Sequence, residues 1–400
     1  MIGKAIPRTV WTLGFVSLFM DVSSEMVHSL LPLFLITVLG TTATRVGFIE
    51  GIAEGTALIV KIFSGALSDW FRNRKALAVL GYGLGAASKP LFALAATANL
   101  VFAARLVDRV GKGIRGAPRD ALIADVTSPE IRGAAYGLRQ SLDTVGALLG
   151  PVLALVLMKT TGGNFRMVFW LAAAPGFLAV ALLAGGVREP RHPDAGKPRT
   201  SGKARAPILI ADLKRLGEAF WLVVTLGTIL SLARFSEAFL LMRGQSAGLA
   251  AADAPLLMVA MNVVYFATAY PVGYLSDKVG RGGLLAAGII ALVIADLTLA
   301  AARGPWMAGA GAAVWGLQMG LTQGIFSAMV AGAAPPALRG TAFGLFNLAG
   351  GIATIAASLL AGSVWDRIGA PATFEIGACI AGSAMLFYLL LGKRMGRTAY

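Results

Sequence analysis

Three ionisable residues, Asp21, Glu25 and His28, interrupt one long apolar stretch near the N-terminus. Their spacings of four and three put all three side chains on one face of a helix. Charged groups are costly inside a bilayer, so such a face turns away from lipid and is a functional hypothesis by default. A carboxylate placed there can take up a proton from one side of a membrane and release it to the other. Asp21 and Glu25 are therefore expected to couple to protons or bind a cation. The competing reading is a static salt bridge to arginines of the fourth or fifth helix. Buried ion pairs are poor stabilisers, which favours coupling.

Other apolar stretches carry their own ionisable groups. Glu50 and Glu54 share a face, with Lys61 two turns beyond. Arg105, Asp108 and Arg109 fall in one stretch. Arg139 and Asp143 stand four apart, a spacing that allows an intrahelical pair. Arg234 and Glu237 stand three apart. Trp315, Gln318 and Gln323 can stack on or hydrogen-bond a solute, or simply pack helices; Asn262, Tyr265 and Asn347 are weaker candidates of the same kind. Asp296 stands alone, with no evident partner in the sequence.

The elements that must hold these groups are membrane helices. Of the 400 residues 57% are hydrophobic and 14% charged, too little polar surface for a soluble fold of this size. A helix needs about 20 mostly apolar residues to cross the hydrocarbon, and long apolar runs, not short alternating segments, fill the chain. Twelve spans are predicted: Trp11–Leu39, Val46–Ser68, Ala76–Ala95, Leu100–Ala124, Gly133–Met158 and Phe165–Gly186, then Glu218–Met242, Pro255–Ser276, Gly283–Ala302, Trp306–Gly332, Gly340–Val364 and Pro371–Leu391. The fold class is all-α integral membrane, with a six-helix bundle over residues 1–186, a basic linker over 187–217 and a second bundle over 218–400. The first apolar run is too long for a cleaved signal and reads as helix 1.

The net charge of +15 sits mostly in alternate loops. Lys4, Arg8, Arg72, Arg74, Lys75, Arg115, Arg119, Arg132, the linker, Lys278, Arg281, Arg339 and the C-terminal Lys393, Arg394 and Arg397 lie on one side. Arg45, Arg166, Arg243, Arg303 and Arg367 are the sparse charges of the other. Positive-inside then places both termini and the linker in the cytoplasm, in a plasma or inner membrane. It also accounts for the charge without nucleic acid. The lone Cys379 excludes an internal disulfide framework. With only His28 and His192, a His-based metal cluster is not expected.

The chain repeats itself. Gly65-Ala-Leu-Ser-Asp69 ends helix 2 and Gly273-Tyr-Leu-Ser-Asp277 ends helix 8; Arg132-Gly-Ala-Ala-Tyr-Gly-Leu138 opens helix 5 and Arg339-Gly-Thr-Ala-Phe-Gly-Leu345 opens helix 11, at offsets of 208 and 207 residues. Ser24-Glu25 and Ser236-Glu237 look like a third echo. Two parallel six-helix repeats are a known way to build a carrier.

At these residues the sequence resembles the major facilitator superfamily of secondary transporters over essentially its whole length. The first marker is the family's loop between helices 2 and 3, here Gly65 to Asp69 followed by Arg72, Asn73, Arg74 and Lys75. Asn73 stands where a glycine is usual, whereas the second copy, Gly273 to Arg281, keeps Gly280. The second is the helix 4 pattern Arg105-Leu-Val-Asp-Arg109-Val-Gly111-Lys-Gly113. The third is the helix 5 antiporter signature: Gly137, Gly146, Gly150 and Pro151 match its spacing, and Ala154 and Leu155 replace its closing glycine pair.

The resemblance implies a carrier similar to proton-coupled prokaryotic efflux proteins, working as a monomer without a cofactor. It implies that helices 1, 4, 7 and 10 line the cavity, making Arg105, Arg234 and Glu237 lining residues; Glu54, Arg109, Arg139 and Asp143 are coupling or cavity candidates on the separate ground that charges inside spans are costly. It also implies that Gly65, Asp69, Arg72 and Arg74, with Gly273, Asp277 and Arg281, act as a conformational latch. Gly146, Gly150 and Pro151 either let helices approach or bend helix 5. The expected activity is proton-coupled antiport exporting small amphiphilic or cationic compounds. Symport of a metabolite or metal chelate is the alternative, and a membrane sensor or embedded enzyme is a more distant one. Gly111-Lys-Gly113-Ile-Arg-Gly116 fits a dinucleotide fingerprint but follows a membrane helix, not a strand. No phosphate loop or catalytic triad accompanies it, so the chain is not read as an enzyme.

Overall fold

A computed structural model describes residues 6–71, 73–128, 131–187, 213, 215–335 and 338–395. The described residues form helices joined by short turns, with no strand among them. Twelve helical stretches follow in order: α1 (Arg8–Val38), α2 (Ala43–Phe71), α3 (Arg74–Leu94), α4 (Ala98–Val126), α5 (Arg132–Thr160), α6 (Phe165–Gly186), α7 (Glu218–Ser246), α8 (Pro255–Val279), α9 (Arg281–Ala300), α10 (Pro305–Ala333), α11 (Arg339–Arg367) and α12 (Ala370–Met395). Nine of them are individually apolar enough to cross a bilayer. The exceptions are α2, α4 and α10. In α4 the reason is plain, since four arginines and three aspartates fall between Arg105 and Asp125. Of the predicted linker, residues 188–212 and 214 lie outside the described residues.

Polarity runs opposite to that of a soluble protein. Glu50, Lys89, Arg105, Asp108, Arg109 and Asp296 are buried, whereas Phe63, Leu153, Phe266, Ile368, Leu389 and Leu390 are exposed. Apolar side chains outward and charges inward is what a hydrocarbon solvent selects.

The chain divides into two compact units. The first holds the described parts of Met1–Val27, Thr56–Leu157 and Asn164–Pro207. The second holds those of His28–Gly55, Met158–Gly163 and Ile208–Tyr400. In the first, α3 packs against α4 and α6; in the second, α9 packs against α10 and α12. These pairings correspond under the sequence repeat. At the α3–α4 crossing the backbones nearly touch, because a Cβ on Gly111 would come 2.6 Å from the Gly81 carbonyl oxygen. Gly111 and Gly113 of the dinucleotide-like run thus serve helix packing, Gly113 against Val60, whereas Gly116 borders open space.

Local signals set the helix ends. Asn73, Thr97 and Asn164 accept from the backbone N–H of Ala76, Leu100 and Met167, capping α3, α4 and α6. This accounts for Asn73 where glycine is usual: it adopts a negative φ and caps, whereas Gly280 turns the chain between α8 and α9 at a φ of 84°. Helical structure continues through Pro90, Pro118, Pro151, Pro175 and Pro271, while Pro305 starts α10. In the second unit α2 and α11 meet through small residues. A Cβ on Gly51 would lie 2.9 Å from that of Ser358, and Asp366 accepts from the N–H of Ala43 and Thr44 at 3.0 and 2.7 Å, closing the first turn of α2.

Three sequence expectations change. First, α1 and α7 are not continuous. α1 stops at His28 and resumes at Leu31, passing into a π-helical turn over Phe34–Val38; Pro32, in the first turn of the new segment, lacks the N–H that would continue the ladder. α7 stops at Ala233 and resumes at Ala238, so Arg234 and Glu237 flank a break and do not share an unbroken helical face. At the repeat offset Glu237 corresponds to Ser29. The two breaks are therefore the true equivalents, and the Ser-Glu pairs, 212 apart, are not. Second, Arg115 and Arg119 lie inside α4, with Arg115 buried, so they do not count as loop charges. Third, Arg243 is a buried residue of α7. Its guanidinium donates to the carbonyls of Leu299, Ala300 and Ala302 at 2.7, 3.1 and 2.7 Å, capping α9. Replacing Arg243 by alanine is expected to destabilise the second unit by about 2–3 kcal/mol, since it strips charged donors from buried carbonyls. Thermal unfolding in detergent should show this as a lowered midpoint, with Arg243→Lys falling between.

Candidate functional site

The first unit gathers its charges around α4. Asp108 is the hub: its carboxylate accepts from Lys89 Nζ at 2.6 Å and from Arg109 Nη2 and Nε at 2.8 and 2.9 Å, with Arg105 Nη1 at 3.7 Å. Ser88 and Ser24 extend the network, Ser24 receiving Lys89 at 3.2 Å. Burying charges is tolerated when partners satisfy them. This cluster sets three cations against the Asp108 carboxylate.

Further along α4 the partners change. Asp21 lies 3.7 Å from Arg115, an ion pair longer than a direct hydrogen bond, and 27% of its side chain is exposed. The Arg115 guanidinium also sits over the Tyr82 ring, 4.7 Å from its centroid. Asp143 accepts from Arg139 at 2.7 Å and lies 4.0 Å from Arg119, which itself donates to Ser17. The predicted pair within helix 5 is present, and an α4 cation stands beside it.

The helix 5 glycines explain how α1 reaches this network. A Cβ on Gly146 would meet the Leu18 carbonyl at 2.6 Å and Asp21 Cβ at 3.1 Å; one on Gly150 would meet Glu25 Cβ at 2.6 Å. They let α1 and α5 approach closely. Gly137 borders open space and has no such role. Lys89, Arg115 and Arg119 were not singled out from sequence. Lys89 had a signal, a lone cation in the middle of an apolar span. The two arginines count in the sequence among the basic charges of one membrane side, which hides them as interior residues.

In the second unit, His28 Nε2 lies 3.8 Å from Glu50 Oε2, with Glu54 beside them. At the α7 break, the Ser236 N–H donates to Ser358 Oγ and the Ala238 N–H to Ser236 Oγ. Tyr265 donates to Gln323 at 3.1 Å. Trp315 is fully buried against Phe235, and Gln318 bonds Thr322 within α10, so both pack the unit's interior; Asn262 is buried too, and Asn347 is half-buried. Asp296 now has surroundings: its side chain is 0% exposed, and neither oxygen has a hydrogen-bond partner among the described residues. It faces Gly377, where a Cβ would come 2.8 Å from Oδ2 and 3.1 Å from Phe235.

Of the predicted latch, Arg72 and the side chains of Asp69 and Asp277 lie outside the described residues. Arg74 begins α3 and pairs with Asp125 of α4. Gly65 and Gly273 lie within α2 and α8, and Arg281 opens α9.

The profile of the Major Facilitator Superfamily matches residues 13–358 and 227–398. An uncharacterised MFS-type transporter of Methanocaldococcus jannaschii is 31% identical over 395 residues, 96% of each chain. Multidrug resistance protein 1 of Bacillus subtilis is 25% identical over 56% of this chain and 55% of its own. The crystal structure of a peptide transporter, solved with sulfate, superposes with a TM-score of 0.79 over 98% of this chain and 96% of its own, at 16% identity, a likeness of fold.

Proposed function

The chain belongs to the Major Facilitator Superfamily, and on that premise we propose that this multi-pass membrane transporter is a proton-coupled antiporter exporting small amphiphilic or cationic compounds. The observation that carries the reading is Asp21. It is partly exposed and only loosely paired with Arg115. The Tyr82 ring offers Arg115 a second partner when the carboxylate is neutralised. A carboxylate placed in this way can load and release a proton without stranding its cation. Export draws support from the Bacillus relative's name. The working unit in this proposal is a monomer in the plasma membrane with cytoplasmic termini, acting as a carrier and not as a catalyst. Asp69 and Asp277 act as latches biasing the conformational equilibrium.

One observation favours symport of an anionic metabolite instead: Lys89, Arg105 and Arg109 gather at one carboxylate, Asp108, and guanidinium groups clustered in this way suit a carboxylated solute. Proteoliposomes holding the purified chain and an imposed pH gradient separate the two. Under antiport, an acidic interior drives accumulation of a lipophilic fluorescent cation while protons leave. Uptake of a small carboxylate together with protons, and no movement of the cation, would establish symport. A gradient that moves neither probe would count against both.

A further inference from the structure

We infer that His28, Glu50 and Glu54 form a binding site for a divalent transition-metal cation. The sequence separates the histidine from the glutamates by more than twenty residues and a helix turn. The fold brings one ligand atom from each within 4.8 Å of the others. Such a triangle contains a point about 2.8 Å or less from all three atoms, and small side-chain rotations close that to the roughly 2.0–2.2 Å of metal–ligand bonds.

The donor set selects the ion. An imidazole with two carboxylates suits zinc and the neighbouring first-row divalent ions, whereas calcium and magnesium take oxygen alone and thiolate-seeking ions find no sulfur. A neutral imidazole and two carboxylates together carry a charge of −2, which a divalent cation balances.

The fold also holds the ligands in place. Gly47, Gly51 and Gly55 press one face of α2 against α11, which fixes the rotation of α2. Glu50 and Glu54, four residues apart on the adjacent face, then lie together beside His28. His28 is the last residue of the first α1 segment, held at the break before Ser29. Glu50 is buried at 0% exposure, while Glu54 is half-buried, leaving a side from which an ion can enter.

The site is independent of the proposed coupling at Asp21, which lies in the other unit, and binding alone can test it. Full-length protein in detergent, freed of metal, is titrated with Zn²⁺ by equilibrium dialysis and with Co²⁺ as a spectroscopic probe. One Zn²⁺ per chain is expected, and it should displace Co²⁺ whose visible bands report nitrogen and oxygen ligation. His28→Gln and Glu50→Gln should each weaken binding about tenfold or more, since even outer-shell losses cost 10–100-fold. Glu54→Asp, which keeps the charge, should retain more affinity than Glu54→Gln. Thermal unfolding without metal identifies any variant that misfolds; for such a position the Co²⁺ bands of the remaining variants decide. Zn²⁺ binding equal in the wild type and in the His28→Gln, Glu50→Gln double variant overturns the site. So does wild-type protein that binds no metal and merely hydrogen-bonds His28 to Glu50. A failure of proton-driven transport would not bear on either outcome.

Discussion

Replacing Asp108 by asparagine is expected to destabilise the first unit by about 3–5 kcal/mol, the usual cost of removing one partner of a buried ion pair. The side chain keeps its volume, so packing is not the cause. What changes is that Lys89, Arg105 and Arg109, all buried, lose the carboxylate they surround at 2.6–3.7 Å. Loss of folded protein in size-exclusion profiles and a lowered thermal midpoint in detergent would register this. The double variant Asp108→Leu, Lys89→Met should recover part of the loss, because it removes a charge together with its counter-charge. Equal stability of wild type and Asp108→Asn would show that the cluster contributes nothing to the fold.

The second large effect is on coupling. Asp21→Asn is expected to leave the protein folded and to abolish pH-driven accumulation in proteoliposomes, with the signal falling to that of empty vesicles. Asparagine has the same shape, and the 3.1 Å that Gly146 would leave for a Cβ beside Asp21 shows how little other change α5 would accept. Stability should hardly move, because the pair to Arg115 is long and partly solvated. Asp21→Glu should retain part of the transport. Full pH-driven transport by Asp21→Asn would transfer the coupling role elsewhere, with Glu25 the next residue to test.

Much of the architecture was legible in the chain itself. Apolar runs of spanning length fall at regular intervals, and the lipid solvent forces each to be helical, so the all-α membrane class follows from composition. The repeats at Gly65/Gly273 and Arg132/Arg339 expose the duplication because each carries a turn or helix start that both halves still need. The charged residues of α1, α4 and α5 could be named as candidates from cost alone.

What the chain did not show is which charge meets which. Helical periodicity assigns a face, but the neighbour across that face depends on how helices distant in sequence are rotated and shifted, and side-chain volume settles that. Lys89 reaches Asp108 because α3 and α4 cross at paired glycines. Asp21 meets Arg115 because that arginine is turned into the interior from within α4. His28 joins Glu50 and Glu54 because α1 breaks and α2 is held against α11. The sequence alone determined that this is a duplicated bundle of membrane helices bearing charges that lipid would reject. Only the tertiary structure decided how those charges pair, because pairing is set by close packing between helices, and local sequence carries no record of a neighbour's position.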